Sequence, residues 1–170
     1  MIHTAASANN TTSAADLAEG DLSFSIVSVE DAPAEIPQLI YDSLYRDFNV
    51  SFDPIEQWYN GSLGGQFIVA RDSSGSLLGL CRLMPSIADN PHAQQVRQVV
   101  VSAKKQGLGV GKQLMEHAQN MAKAQGCKEL FLWSRYPAYG FYENLGYHFF
   151  SDEWTSSLTH INYRTMVKAL

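Results

Sequence analysis

Apolar positions along this chain switch between a spacing of two and a spacing of three to four, and the switches mark its elements. Residues 23–29 alternate and predict a first strand. Ile36, Leu39, Ile40, Leu44 and Phe48 then recur at helical spacing, which predicts a helix over 34–48 capped by Asp31. Pro54 stands where the first turn of a short helix would begin, running through Tyr59 to Gly61. Two apolar runs, 66–71 and 77–84, flank Asp72, Ser73, Ser74 and Gly75, the composition of a hairpin turn. A loop over 85–94 leads to the β-branched run 96–101. Leu114, Met115, Ala118, Met121 and Ala122 share one face of a helix over 112–124, which Gly126 ends. Residues 129–133 read as another buried strand, 137–145 as a short helix closed by Gly146, and 147–150 and 161–167 as the last strands. The order is mixed α/β, without internal repeat. It predicts a flexible tail over 1–22, rich in Ala, Ser, Thr and Asn, and a single domain over 23–170.

Composition narrows the partners. The 170 residues suffice for one full core. A net charge of −5, with no run of Lys or Arg, gives nucleic acid no electrostatic foothold, and a mildly acidic surface favours a cationic acceptor such as an amine. No stretch is long and apolar enough to span a membrane, and the N-terminus has neither the basic nor the apolar region of a secretory signal. The only cysteines, Cys81 and Cys127, read as two buried reduced thiols, which points to the cytoplasm. Zinc-type spacing is absent, so no metal is expected.

The chemistry concentrates after residue 96. Gln106, Gly107, Leu108, Gly109, Val110 and Gly111 lie between the β-branched strand and the start of an amphipathic helix. Strand, glycine loop and helix N-terminus offer free N–H groups and the positive end of a macrodipole, a seat for phosphate or pyrophosphate. A ligand-free glycine turn has the same composition. A P-loop is excluded: its first glycine falls on Gln106, and its Ser/Thr, the magnesium ligand, on Gln113. A Rossmann fingerprint fails as well, because its third glycine falls on Lys112.

Gln106, Gly109 and Gly111 do meet the pattern Gln/Arg-x-x-Gly-x-Gly/Ala, which resembles the acyl-CoA pyrophosphate loop of the GNAT superfamily of N-acetyltransferases. One helix and one strand later, Ala138-Tyr-Gly-Phe-Tyr-Glu-Asn-Leu-Gly-Tyr147 resembles that family's second signature, Ala-x-x-Phe-Tyr-x-x-x-Gly-Phe/Tyr. The resemblance implies the GNAT fold, an α/β (α+β) architecture. Its central twisted sheet is mixed, mostly antiparallel, with roughly six to seven strands and about four flanking helices. The sheet is splayed between the strands at 96–101 and 130–133. It also implies acetyl-CoA as co-substrate. The backbone of Val99, Val100 and Val101 takes the pantetheine arm like an added strand. Residues Gln106 to Lys112 face the pyrophosphate, with Gly107, Gly109 and Gly111 letting the backbone come close and Lys112 either adding a point charge or remaining a solvated helix-start lysine. A late strand can pair between subunits in this fold, which leaves a homodimer open.

For the reaction, the resemblance implies direct attack by a primary amine of a small molecule, peptide or protein on the acetyl carbonyl. Tyr142 is then the general acid that protonates the departing thiolate, while Phe141 before it reads as plain core. Two positions depart from the family pattern. Arg135 stands where an Asn is common, and either reaches a phosphate or substrate carboxylate or forms a surface ion pair. Leu130 stands where some members carry a Glu base. The base is therefore sought among His160 first, then Glu153, Asp152, Asp89 and His92. Acceptor choice is expected from 40–59 and 85–94, with Tyr41, Tyr45, Trp58 and Tyr59 as candidate lining. The competing readings are a catalytically silent GNAT-fold acyl-CoA sensor or interaction module, and a nucleotide-binding α/β protein that takes no CoA.

Overall fold

The computed structural model of the chain describes residues 21–48, 64–157 and 159–170. The tail through residue 20 and the helix expected at 54–59 lie outside these. The described elements follow in the order β1 (Leu22–Ser28), α1 (Glu35–Leu44), β2 (Gln66–Asp72), β3 (Leu77–Leu83), β4 (Ala93–Val101), α2 (Val110–Ala124), β5 (Glu129–Ser134), α3 (Tyr139–Asn144), β6 (His148–Phe149), β7 (Trp154–Thr155) and β8 (Asn162–Ala169). The strands form one sheet in the order β1-β2-β3-β4-β5-β8-β6, with β7 also on β8. Every pairing in it is antiparallel except β4 with β5. The expected mixed, mostly antiparallel sheet is therefore present, one short strand richer because the two residues of β7 are too few to carry an alternating pattern.

Both faces of the central strands are covered, so β2 and β3 read as continuous apolar runs. Ile68, Ala70, Leu78 and Val96 pack with Leu114, Met115, Ala118 and Ala122 of α2. Phe67, Val69, Leu80 and Val100 pack with Ile36 and Ile40 of α1 on the other face. Leu114 is wholly buried, and a leucine so placed contributes about 2 kcal/mol of hydrophobic stabilisation. Helix α2 ends where Gly126 N–H meets the Lys123 carbonyl (3.0 Å) and Cys127 N–H the Ala122 carbonyl (2.9 Å), the double closure of a Schellman motif.

Several local expectations shift. Asp31 does not cap α1; its carboxylate accepts from Ser28 Oγ (2.6 Å) and closes the turn after β1, and the helix begins after Ala34 without a side-chain cap. Helix α1 stops at Leu44, and a separate 3-10 turn follows at Arg46–Phe48, so Phe48 leaves the apolar stripe and is exposed while Tyr45 is buried instead. Strand β4 starts at Ala93 rather than 96 because Gln94 and Gln95 are polar yet buried. Gln94 Nε2 donates to the Met84 carbonyl (3.1 Å) and to Gln125 (2.8 Å), which lets an amide occupy a core position. Phe141 is not core: it is partly exposed and lies against Gly111 at the start of α2.

Where β3 meets β4, Gly79 opposes Val101 under α2. A Cβ at this glycine would lie 2.6 Å from the Val100 carbonyl oxygen and 3.3 Å from Leu114 Cδ1. Gly79→Ala is therefore expected to cost about 1–3 kcal/mol, the range for overpacking. Urea unfolding checks it, and an unchanged midpoint would mean that this contact has slack.

Candidate active site

The site begins where sheet pairing ends. β4 and β5 pair in parallel only at Ala93 with Glu129, Gln94 with Leu130 and Gln95 with Phe131. Beyond these residues β4 keeps its partner β3 and β5 keeps β8, and the two strands separate. The facing edges of 96–101 and 132–134 are thus left without a ladder. Within this stretch β4 carries a bulge. Its register against β3 slips by one residue between Arg97 and Val100, and Gln98 sits at φ 52. The extra residue resets the alternation: Val96 and Val99 both pack toward α2, while Val100 packs toward α1.

A cavity of about 450 Å³ occupies the opening. Gln95, Arg97, Gln98 and Val99 line it from β4, and Leu132, Trp133 and Ser134 from β5. Tyr142 of α3 closes one side and Leu44 and Tyr45 at the end of α1 another, with Trp154, Thr159 and Tyr163 around β7 and β8. Tyr142 is held by its own C-cap. Gly146 N–H bonds the Glu143 carbonyl (2.9 Å) and Tyr147 N–H the Tyr142 carbonyl (3.0 Å), with Gly146 at φ 87, where a Cβ is disfavoured. Burial raises the Tyr142 pKa, the neighbouring Cys81 adds to the rise, and Arg135 opposes it. The phenol therefore stays protonated. Cys81 is wholly buried, and burial pushes its thiol up to about 12, so it is inert as a nucleophile.

At the far end of β4 the chain turns through Gln106 to Gly109 into α2. Gly109 is the N-cap in a left-handed conformation, φ 81, and contributes no side-chain cap. Among the described residues nothing accepts from the N–H groups of Gln106 to Lys112, and the first closed helical bond is Gln113 to the Gly109 carbonyl (3.1 Å). A Cβ at Gly107 or Gly109 would meet nothing within 4 Å, whereas one at Gly111 would meet Phe141 at 3.2 Å. Two glycines thus leave the outer face of the turn open, and the third lets α2 approach α3. Lys112 is exposed, 3.9 Å from Glu116. The arrangement is a nest of free donors at a helix start, suited to an anion.

The remaining expectations divide. Val99 lines the cavity, and Val100 and Val101 continue the unladdered stretch with Val100 turned into the α1 core. Arg135 lines the cavity too, but Nη1 donates to the Leu44 carbonyl (2.8 Å) and the guanidinium covers the Phe48 ring (5.1 Å). It ties β5 to α1 and forms no ion pair among the described residues. His160 is not brought to the cavity. It is exposed at φ 56 in the turn before β8, with its N–H on the Ser156 carbonyl (2.8 Å). Asp152 and Glu153 line a separate surface groove with Arg164. Asp89 and His92 are exposed at the paired end of β4, where the His92 carbonyl accepts from Lys128 (2.8 Å) and Glu129 (3.1 Å). Tyr45 lines the cavity, Tyr41 does not, and Trp58 and Tyr59 lie outside the described residues.

Arg97, Gln95, Gln98, Trp133 and Arg82 were not singled out from the sequence. A lone arginine inside the β-branched run 96–101 was the available signal. Its Nε donates to Gln95 Oε1 (2.7 Å) and its guanidinium stacks on Trp133 at 4.7 Å. Among the described residues the cavity lining holds three arginines, Arg82, Arg97 and Arg135, and no Asp, Glu or His. The local charge thus runs opposite to the net charge of the chain.

The fold is shared with known proteins. The profile of the acetyltransferase (GNAT) domain matches residues 64–149, half of the chain. The chain belongs to the GNAT acetyltransferase family. Mouse N-alpha-acetyltransferase 80 is 39% identical over 61 residues, which are 36% of this chain and only 19% of the mouse protein. Solved GNAT-fold relatives include a candidate N-acetyltransferase from Lactobacillus plantarum, with a TM-score of 0.71 at 19% identity over 88% of this chain and 99% of that one. An acyl-CoA N-acyltransferase from Pseudomonas aeruginosa follows at 0.69 and 18%, over 87% and 99%. The IAA acetyltransferase of Bacillus cereus ATCC 14579 superposes at 0.66 and 20%, over 88% and 99%. GNAT acetyltransferases generally use acyl-CoA, and membership supports acyltransferase activity in this chain. No helix among the described residues is long and apolar enough to cross a membrane, and no group of His, Cys, Asp and Glu there is placed to hold a metal.

The buried phenols give a test. Tyr45 is raised to about 12, chiefly by burial, and Tyr142 and Tyr147 are raised further by the same cause. An unfolded chain loses these protons first, so their share of stability is complete below about pH 10 and is lost as pH rises toward and beyond 12. At about pH 11 the folded protein should lack the phenolate absorbance of at least three of its eight tyrosines, gaining it only on unfolding. Full ionisation at that pH with the fold intact would contradict this burial.

Proposed function

We propose that this GNAT acetyltransferase moves an acetyl group from acetyl-CoA to a primary amine of a small molecule, peptide or protein within a ternary complex. The observation that carries the reading is the seam between β4 and β5, which leads from the donor nest at Gln106–Lys112 to Tyr142. The pantetheine arm runs along the free edge of β4 at Val99 to Val101, and the pyrophosphate sits on the N–H groups of Gly107 to Lys112. The amine enters from the α1 side. Its lone pair attacks the thioester carbonyl carbon, a C–N bond forms, and the carbonyl oxygen becomes an oxyanion. Collapse breaks the C–S bond and the sulfur leaves as thiolate beside Tyr142, which supplies the proton. The nitrogen gives up its own proton to water, since the described lining holds no carboxylate or imidazole to take it. Water then returns a proton to Tyr142, and the step balances. Cys81 is too deeply buried to form an acyl-enzyme, which favours direct attack.

Absence of a base in the described lining is also what a non-catalytic acyl-CoA sensor would show, and turnover separates the two. With acetyl-CoA and a panel of amines, thiol release is expected, and Tyr142→Phe should lower kcat by about 10- to 100-fold while calorimetry finds CoA affinity within about threefold. His160→Ala should leave kcat/KM within about twofold. CoA binding without release on any amine would favour the sensor, and an unchanged rate in Tyr142→Phe would remove its acid role.

A further inference from the structure

Arg97 is a half-buried cation whose polar needs are only partly met. Its Nε is spent on Gln95, and one face of its guanidinium rests on Trp133. Neither terminal nitrogen has an Asp or Glu partner among the described residues, where the ion pairs are Arg46–Asp42, Arg71–Glu35 and Lys112–Glu116, all elsewhere. Holding a guanidinium out of water without a counter-charge is costly, and removal of an anion that fits it leaves that cost standing.

A second group points the same way. Gln95 is buried at 6% exposure, and among the described residues its amide nitrogen has no partner. Because its oxygen must accept the Arg97 Nε–H, the nitrogen is fixed as the free donor. Both residues line the cavity. Arg97 lies next to Val96, which packs toward α2, and alternation puts it on the α1 side, across the sheet from Tyr142. The guanidinium charges of Arg97 and Arg135 both pull on the Tyr45 phenol there.

We propose that the acceptor carries a carboxylate a few bonds from its reactive amine, and that Arg97 holds that carboxylate at the α1 end of the cavity. The inference rests on the acetyl transfer proposed above. One guanidinium edge offers two parallel donors, the complement of a single carboxylate, and the Gln95 amide adds a third. A phosphate dianion would call for more donors than this fork and amide provide. Gripping the carboxylate fixes the direction from which the amine reaches the thioester.

The test uses two pairs of acceptors with saturating acetyl-CoA. One pair is a peptide that starts with aspartate and its twin that starts with asparagine. The other is a free amino acid and its amide. In at least one pair the carboxylate member should show kcat/KM higher by roughly tenfold or more, and the pair that responds tells a side-chain carboxylate from an α-carboxylate. Arg97→Gln should bring that ratio to within about twofold, and Arg97→Lys, which keeps the charge, should retain at least about threefold, circular dichroism confirming both folds. Ratios within about twofold in both wild-type pairs, or a preference that survives in Arg97→Gln, overturn the inference and leave acetyl transfer standing. If no amine is acetylated, calorimetry of the CoA complex with N-acetylaspartate decides. Binding weakened roughly tenfold by Arg97→Gln supports the carboxylate seat, and no binding overturns it.

Discussion

Parallel pairing between β4 and β5 holds for three residue pairs and then stops, and the rest of the structure is arranged around that interruption. Each strand keeps its outer neighbour, so the sheet opens without coming apart. The backbone groups along the opening have lost their ladder, and such groups must find partners in water or in a ligand. The bulge at Gln98 makes the opening asymmetric: it lets β4 present Val96 and Val99 to one face and Val100 to the other. A cofactor arm with amides of its own can serve as the missing strand, and this is how a gap in a sheet becomes a binding site.

Two helix ends complete the donor half, each through a glycine in the left-handed region. Gly109 starts α2 with its first N–H groups unpaired, and Gly146 closes α3 in a way that anchors the Tyr142 carbonyl. Both positions were readable in the sequence because left-handed backbone is local: it needs a glycine, and the residues around it declare the helix. The hairpin at Asp72–Gly75 was readable for the same reason, as Asp72 Oδ1 accepts from Ser74 N–H (2.9 Å) and Ser76 N–H (3.0 Å) within a few residues.

The acceptor half was not readable in that way, since contacts between distant segments build it. Trp133 and Arg97 meet across the seam, and Arg135 reaches back to Leu44. Phe48 continued the helical spacing of α1 on paper, yet the helix ended one turn early and Tyr45 took the buried place. His160 stands out in the sequence as a candidate base, yet its backbone is that of a turn residue facing solvent. Nor did net charge report on the cavity. The chain is acidic as a whole, while the described cavity lining gathers three arginines. Charge in a cleft depends on which few side chains converge there, and a sum over the surface does not contain that information.

Amide hydrogen exchange with and without CoA measures the exposed backbone of the seam directly. CoA should slow exchange at Val99 to Val101 and at Gly107 to Lys112, and leave α1 and the β1–β2 edge unchanged. CoA that binds while these two segments exchange as before, or that protects a different face, would contradict a donor site built on the broken β4–β5 pairing.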